Sequence, residues 1–256
     1  MHYYSCRAFE ELPGLCHGFS TRRGSPSDLA GGSFNLGYSS RDSAERVDDN
    51  RRRFLSALEL REACLVTLHQ VHSNRVHIIK DISGQWNQTD GDALITRVEE
   101  IALAVQIADC LPVLMADPIK KVVAAVHSGW KGTLKRIAEK TIEEMRRAFG
   151  SDPAQIIVAV GPGIRACCYE VGPEVAGMFH EEYAECGLAT PARSGKYLLD
   201  LSKALGIQFH ASGIKPENSY DLGVCTRCNV NEFFSYRAEG SGTGRMMAVI
   251  GRTSRL

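Results

Sequence analysis

Unbroken apolar runs in the middle of the chain constrain its fold most. Between residues 101 and 160 these runs read IALAVQIA, PVLMA, VVAAVH and IIVAV. Their lengths suit strands, and the absence of polar alternation is typical of strands that are covered on both faces. Helical patterns do not follow every strand, which disfavours a dinucleotide-binding fold of repeated βαβ units. We therefore predict an α/β (α+β) protein with mixed β-sheets flanked by helices.

The helices that flank the sheets are predicted from apolar residues at helical spacing. Apolar residues recur at helical spacing among many charges between Asp42 and Leu60, which predicts an amphipathic helix. A second helix is predicted from Thr133 to Gly150, where the glycine is a stop signal. Two more helices are predicted over residues 173–187 and 198–213, and a closing strand near the end of the chain.

The charge balance excludes several classes of partner. The chain has 30 Lys and Arg against 30 Asp and Glu, so its formal net charge is zero. A broad basic surface for nucleic acid or an anionic membrane is therefore not expected. The 256 residues suit a single domain over 1–256. Small molecules are the expected partners, and the sequence leaves a monomer or a homodimer open.

Apolar run lengths and cysteine usage bear on the compartment. No run approaches the length of a membrane span, and Glu10, Glu11 and Pro13 interrupt the segment where a signal peptide would be apolar. The nine cysteines are odd in number and irregularly spaced, unlike a disulfide framework. We expect reduced thiols in a cytoplasmic protein.

Two of the apolar runs are predicted to form a hairpin that brings a cysteine to a histidine. Residues 117–120 have a composition suited to a tight turn. With Pro118 and Ile119 as its loop, Cys110 falls opposite His127 and both side chains lie on one face. A slip of one residue would turn one of the two side chains to the other face.

A thiol and an imidazole that converge can serve two kinds of chemistry. They can be ligands of a Zn²⁺ or copper ion, or the nucleophile and base of a cysteine hydrolase. The stretch HQVHS supplies His69 and His72 as candidates for a third group. Three protein ligands with one open position are typical of a catalytic zinc site. The structural alternative is that Cys110 is a small buried apolar residue and His127 a hydrogen-bonded core histidine.

Several longer motifs follow one another along almost the whole chain. They read HGFSTRRG, FNLG, HQVHS, DGDALIT, ADCLPVLMAD, AVHSGWKGT, GPGIRACCYEVG and an ending that starts LGVCTRC. In this order they resemble the bacterial multicopper polyphenol oxidase, or laccase-domain, family. The resemblance implies a fold related to putative cysteine hydrolases, and a metal site, usually described as zinc, of His72, Cys110 and His127.

The same resemblance implies activity on purine nucleosides: adenosine deamination, and phosphorolysis of adenosine, inosine or methylthioadenosine. The older family label is copper-dependent oxidation of phenols, which requires a site that collects several electrons. The chain has eight histidines and no His-x-His pair, which disfavours phenol oxidation by several coppers.

A single Zn²⁺ that activates water suffices for deamination. We expect a zinc enzyme, with copper possible. The alternatives are a copper-dependent polyphenol oxidase and a cysteine amidase acting on peptidoglycan precursors.

Three further residues are candidate substrate contacts. Arg51 resembles a conserved arginine of the family and is the candidate catalytic residue that contacts phosphate or substrate oxygens. The alternative is that Arg51 is a solvated residue on the surface of its helix. Asn35 in FNLG is predicted to bind base or ribose, or else to be a turn residue. Lys131 is the third candidate. It lies where relatives more often have Arg, so it can attract an anion as a point charge but cannot make the two parallel hydrogen bonds of an arginine.

Cys225 and Cys228 form a lone CxxC, for which a structural role is expected.

Overall fold

The structure is a computed structural model that describes residues 1–24, 34–38, 42–184 and 187–254. Within these residues lie fourteen β-strands: β1 (Tyr3–Tyr4), β2 (Leu15–Ser20), β3 (Cys64–Val66), β4 (Val76–Ile78), β5 (Ala93–Thr96), β6 (Ile101–Ile107), β7 (Leu111–Asp117), β8 (Val122–Ser128), β9 (Ile157–Val160), β10 (Glu170–Val171), β11 (Ala189–Pro191), β12 (Tyr197–Leu199), β13 (Ser219–Asp221) and β14 (Met246–Arg252).

The same described residues contain seven α-helices: α1 (Arg7–Glu10), α2 (Ala44–Ala57), α3 (Trp130–Leu134), α4 (Ile137–Phe149), α5 (Pro173–Tyr183), α6 (Leu201–Ala211) and α7 (Tyr236–Glu239). The predicted helix over 198–213 begins later because residues 197–199 form β12. No helix in the described part of the chain has the length and apolar content needed to cross a bilayer.

The strands form three sheets. Their orders are β13-β9-β7-β8-β5-β4, β1-β2-β14-β6-β3 and β10-β12-β11. In the six-stranded sheet β13 pairs with β9, and β4 with β5, in parallel, while its other pairs are antiparallel. The five-stranded sheet likewise contains one parallel pair, β3 with β6. The predicted class of mixed sheets flanked by helices is confirmed.

Both large sheets are covered on both faces. Leu114 of β7 and Ile250 of β14 belong to one buried cluster between the two sheets. On the outer face of the six-stranded sheet, Val113 shares a second cluster with residues of α4 and α6. On the outer face of the other sheet, Val249 shares a third cluster with Phe54 of α2. Successive side chains of a strand therefore enter different cores, which explains why β7 is buried at every residue.

The helix predicted over residues 133–150 is broken in two, so that prediction was wrong in its continuity. Between α3 and α4, Arg136 adopts a left-handed backbone conformation with a φ of 56°. Its guanidinium Nε donates to a carboxylate oxygen of Glu182 on α5 at 2.5 Å. Gly150 does end α4, in the left-handed conformation that glycine adopts without strain.

The predicted β7–β8 hairpin is present, but its register was predicted wrongly by two residues. The connection spans residues 118–121, so Pro112 faces His127 where Cys110 was predicted. Asp117 supports this longer turn by accepting hydrogen bonds from two backbone N–H groups within it. Because side chains alternate with a period of two, the shift keeps Cys110 and His127 on one face.

Candidate functional site

Three side chains of metal-ligand type meet where β7 and β8 open. His72 lies in the loop after β3, Cys110 directly before β7 and His127 near the end of β8. One ligand atom from each lies within 4.8 Å of the other two, and Cys110 Sγ is 3.7 Å from Nε2 of His72. We call these three residues the His–Cys–His cluster. His69, the other candidate third group, is exposed and pairs with Asp90 instead.

A buried carboxylate orients this cluster. Asp92 precedes β5, and its Oδ1 lies 2.8 Å from Nδ1 of His127. The same carboxylate accepts a hydrogen bond from the backbone N–H of His72 at 3.0 Å. It also accepts hydrogen bonds from the backbone N–H and the hydroxyl of Ser73, at 2.6 and 2.7 Å. With Nδ1 engaged by Asp92, His127 has Nε2 available for a metal. Asp92 is not among the residues predicted from the sequence, although an acidic residue directly before a buried strand is a signal that could have identified it.

The backbone makes room for the three ligands. His72 and Asp109 have φ values of 56° and 92°, a region that non-glycine residues seldom adopt. A Cβ at Gly129 would lie 2.8 Å from Cδ2 of His72 and 3.0 Å from Sγ of Cys110. Glycine at position 129 is therefore required by the close approach of the ligands.

Burial and charge act in opposite directions on the Cys110–His127 pair. Burial alone would raise the pKa of the Cys110 thiol, but the His127 charge and hydrogen bonds from both histidines lower it to about 6. Burial would lower the pKa of His127, but the Cys110 thiolate and Asp92 raise it to about 9. Each group thus stabilises the charged form of the other, so the pair favours a thiolate beside an imidazolium. The thiolate is the form that ligates metals and acts as a nucleophile.

The His–Cys–His cluster lies in a cavity of about 1030 Å³, a size typical of small-molecule sites. Its lining includes aromatic and cationic side chains: Tyr38, Arg51, Trp86, Trp130, Tyr169, Tyr236, Arg237 and Arg245. Arg237 and Arg245 are not among the residues predicted from the sequence, because they follow the cluster by more than a hundred residues. The cavity thus combines surfaces for a flat heterocycle and for an anion.

Arg51 reaches this cavity from α2. Its Nε donates to the carbonyl of Leu36 at 2.8 Å, and its guanidinium lies 4.2 Å from the centre of the Tyr38 ring. Its Nη2 is buried and has no hydrogen-bond partner among the described residues. A buried guanidinium nitrogen without a partner is costly unless a ligand accepts its hydrogen bond. The geometry therefore favours an anion contact over a solvated helix residue.

Two of the predicted substrate contacts, Asn35 and Lys131, are not among the described residues that line this cavity, and their substrate roles stay predictions. Asn35 is buried, and its Oδ1 accepts backbone N–H groups of Gly37 and Arg245 at 3.1 and 2.8 Å. Its amide thus positions the backbone of Arg245. Lys131 is exposed, and its ammonium lies 5.5 Å from the ring centre of Trp130. Trp130 lines the cavity in its place.

Comparison with known proteins identifies the family. Residues 16–253 match the family model described as multi-copper polyphenol oxidoreductase laccase. The chain belongs to this laccase family. The predicted family is thereby confirmed.

Relatives of this laccase-family chain carry nucleoside-enzyme names. It is 39% identical over 236 residues to a purine nucleoside phosphorylase of Deinococcus radiodurans, covering 92% of this chain and 88% of that protein. It is 37% identical over 221 residues to the adenosine deaminase RL5 of an unknown prokaryotic organism, covering 82% and 84%. The crystal structure of YlmD from Geobacillus stearothermophilus matches with a TM-score of 0.86 at 30% identity, covering 95% and 93%.

Proposed function

We propose that this protein is a metal-dependent purine nucleoside enzyme. Its reactions are the deamination of adenosine and the phosphorolysis of adenosine, inosine or methylthioadenosine. One observation carries the proposal: the His–Cys–His cluster shares a single cavity with Arg51, whose Nη2 has no hydrogen-bond partner among the described residues. The names of the two relatives, a purine nucleoside phosphorylase and an adenosine deaminase, support the substrate class.

The donor set supports zinc as the resident ion, with copper as the alternative. Two imidazoles and a thiolate, supplied by His72, Cys110 and His127, are ligands that zinc accepts, and a three-ligand set leaves a position for water or substrate. Asp92 fixes the tautomer of His127, as carboxylates do in many zinc sites. When bound, zinc supplies Lewis acidity that activates water near neutral pH.

Arg51 is proposed to bind phosphate or substrate oxygens. Its Nη2 is buried and has no hydrogen-bond partner among the described residues, so an anion in the cavity would supply an acceptor for it. Stacking on Tyr38 holds the guanidinium plane, which limits the entropy lost on binding. Arg237 and Arg245 add positive charge to the same cavity.

The purine ring is proposed to lie against the aromatic part of the wall. Trp86, Trp130 and Tyr169 all line the cavity. A stacked aromatic pair contributes about 1 kcal/mol beyond the area that it buries. This contact favours a flat heterocycle over a flexible peptide chain of similar size.

The remaining expectations form part of the same proposal. None of the eight cysteines that the structure describes forms a disulfide, in keeping with the proposed cytoplasmic location. We propose a single domain over residues 1–256, present as a monomer or a homodimer. Its partners are a nucleoside and phosphate, without nucleic acid or membrane, in keeping with the zero net charge.

A second candidate function rests on the electrostatics of the site. The Cys110 thiolate, the His127 imidazolium and the Asp92 carboxylate have the order of groups that a metal-free cysteine amidase uses. In that reaction Cys110 is the nucleophile and His127 the proton donor to the leaving amine. Peptidoglycan precursors are the corresponding substrates.

A product assay tests both candidates. Purified protein of known metal content is incubated with adenosine, inosine or methylthioadenosine, with and without phosphate, and the products are identified by mass spectrometry. We expect inosine from adenosine, and free base only with phosphate. Both activities should track zinc content and disappear in Cys110→Ala.

Other outcomes of this assay discriminate between the functions. Nucleoside turnover that persists in folded Cys110→Ala would remove the cluster from the mechanism. Amide hydrolysis that survives chelators, together with selective alkylation of Cys110, would favour the amidase. Phenol oxidation above the level of free copper would favour the polyphenol oxidase.

A further inference from the structure

Four cysteines that do not line the cavity form a second cluster in the described residues. Cys167 and Cys168 lie in a turn after β9, while Cys225 and Cys228 belong to the CTRC stretch after β13. All four Sγ atoms lie within 4.8 Å of one another. We call these residues the four-cysteine cluster. A CxxC stretch needs a second pair of cysteines to make a four-cysteine metal site. In this protein that pair comes from a segment about 60 residues earlier in the sequence.

Two sulfur–sulfur distances in this cluster are close to those of a metal-thiolate shell. Sγ of Cys228 lies 3.6 Å from that of Cys167 and 3.4 Å from that of Cys168. Two sulfurs of a tetrahedral zinc site, each about 2.3 Å from the ion, are about 3.8 Å apart. A disulfide would instead place them about 2.05 Å apart. Zn²⁺ is among the cations that thiolate ligands select.

Backbone and side-chain contacts position the two loops that carry the four-cysteine cluster. Gly163 and Cys225 form a parallel β-bridge. The guanidinium of Arg165 donates to the carboxylate of Asp221 at 2.7 Å, which joins the loop after β9 to the end of β13. The backbone N–H groups of Arg165 and Cys228 hydrogen-bond to the Cys225 thiol. The ligand loops are thus positioned by contacts that do not depend on an ion.

We propose that the four-cysteine cluster binds a second metal ion, a structural Zn²⁺, separate from the ion of the His–Cys–His cluster. Four protein thiolates complete a tetrahedral shell and leave no position for substrate, as in structural zinc sites. Cys167 and Cys228 are exposed, so bringing these two thiols to the cluster without an ion gains little apolar packing.

The second ion would hold together two loops that contact the turn of Asp109. From these loops, the backbone N–H of Ile164 donates to the carbonyl of Asp109 at 2.7 Å, and the hydroxyl of Thr226 donates to the Asp109 carboxylate at 2.7 Å. Asp109 has a left-handed backbone and directly precedes Cys110. The structural ion therefore supports the strained turn that presents a ligand of the first site.

Metal counting on the full-length protein tests this proposal. Elemental analysis of the purified protein should give two zinc ions per chain. Cys228→Ser, which changes an exposed residue, should retain one, and so should Cys110→Ala. Cys16→Ser, a control at a half-buried cysteine outside both clusters, should retain two. Because the two sites are lost by different variants, failure of one proposal is separable from failure of the other.

Cobalt substitution supplies a readout other than activity. Co²⁺ bound to four thiolates gives intense charge-transfer and ligand-field absorption, and these bands should persist in Cys110→Ala and disappear in Cys228→Ser. A zinc content that is the same in Cys228→Ser as in the unaltered protein would overturn the proposal. So would a disulfide between Cys228 and either Cys167 or Cys168 in protein purified under reducing conditions.

Discussion

Oδ1 of Asp92 lies 2.8 Å from Nδ1 of His127, and both residues are almost wholly buried, with exposed fractions of 0% and 3%. The contact joins the start of β5 to the end of β8. Through backbone N–H groups the same carboxylate also holds the loop of His72. One residue that is not itself in the ligand set therefore positions two of the three proposed metal ligands.

Replacing Asp92 with Asn should weaken metal binding at the His–Cys–His cluster about 10–100-fold, the usual cost of losing such a supporting carboxylate. The amide cannot accept every hydrogen bond from His72 and Ser73 and still fix His127. Competition with a chelating dye measures the affinity. Asp90→Asn is the matched control, since it removes an exposed carboxylate paired with His69. Equal affinities in the two variants would contradict this role for Asp92.

Substituting Gly129 with Ala should empty the same site while the fold is retained. The added Cβ would lie 2.8 Å from the His72 ring and 3.0 Å from the Cys110 sulfur, so the ligands have to separate. Metal content and thermal unfolding measure the two effects. Gly177→Ala is the control on α5, where a Cβ would meet no atom within 4 Å and helix propensity favours Ala by up to about 1 kcal/mol. Normal metal content in Gly129→Ala would show that the ligands can move apart freely.

Changing Arg51 to Lys should raise the KM for phosphate about 10–100-fold, as expected for the loss of a charge-assisted hydrogen bond. Deamination of adenosine should change little, because phosphate takes no part in it. Steady-state kinetics with varied phosphate measure the effect. Arg52→Lys, at an exposed arginine of the same helix, should match the unaltered protein. An unchanged phosphate KM in Arg51→Lys would place the anion elsewhere in the cavity.

Acid should destabilise this protein through His17. The residue is buried, its Nε2 accepts the backbone N–H of Cys6 at 2.7 Å, and burial lowers its pKa from 6.5 to about 4. The unfolded chain therefore binds this proton at higher pH than the native protein. The free energy of unfolding should fall by about 3 kcal/mol as the pH drops from about 6.5 to about 4.

Urea unfolding at a series of pH values measures this dependence. His17→Gln keeps a hydrogen-bond acceptor but cannot take up the proton, so its stability should vary less over the same pH range. His210→Gln, at an exposed histidine of α6, should keep the full slope. Equal slopes in the two variants would assign the acid sensitivity to other groups.

Local periodicity predicted much of the sheet core. The buried runs that became β7, β8 and β9 were recognised because each lies between two cores and lacks a polar face. The hairpin register was wrong by two residues, yet Cys110 and His127 still converge, since only an odd shift changes the face of a strand.

Features that depend on distant parts of the chain were not predictable in this way. The left-handed Arg136 that divides α3 from α4 is held by Glu182, which lies 46 residues away. Arg245 reaches the cavity from a segment near the end of the chain. Periodicity reports only on neighbours within a few residues, so such contacts leave no trace in a single sequence.

The residues that donate hydrogen bonds to Asp109 are synthesised after all three ligands of the His–Cys–His cluster. The His–Cys–His cluster lies between residues 72 and 127, whereas the groups that hold Asp109, from Ile164, Thr226 and Arg237, follow much later. A growing chain therefore carries all three ligands long before it carries the parts that fix their turn. The geometry of the cluster thus depends on contacts from the C-terminal half, and we expect tight metal binding only after that half has joined the sheets.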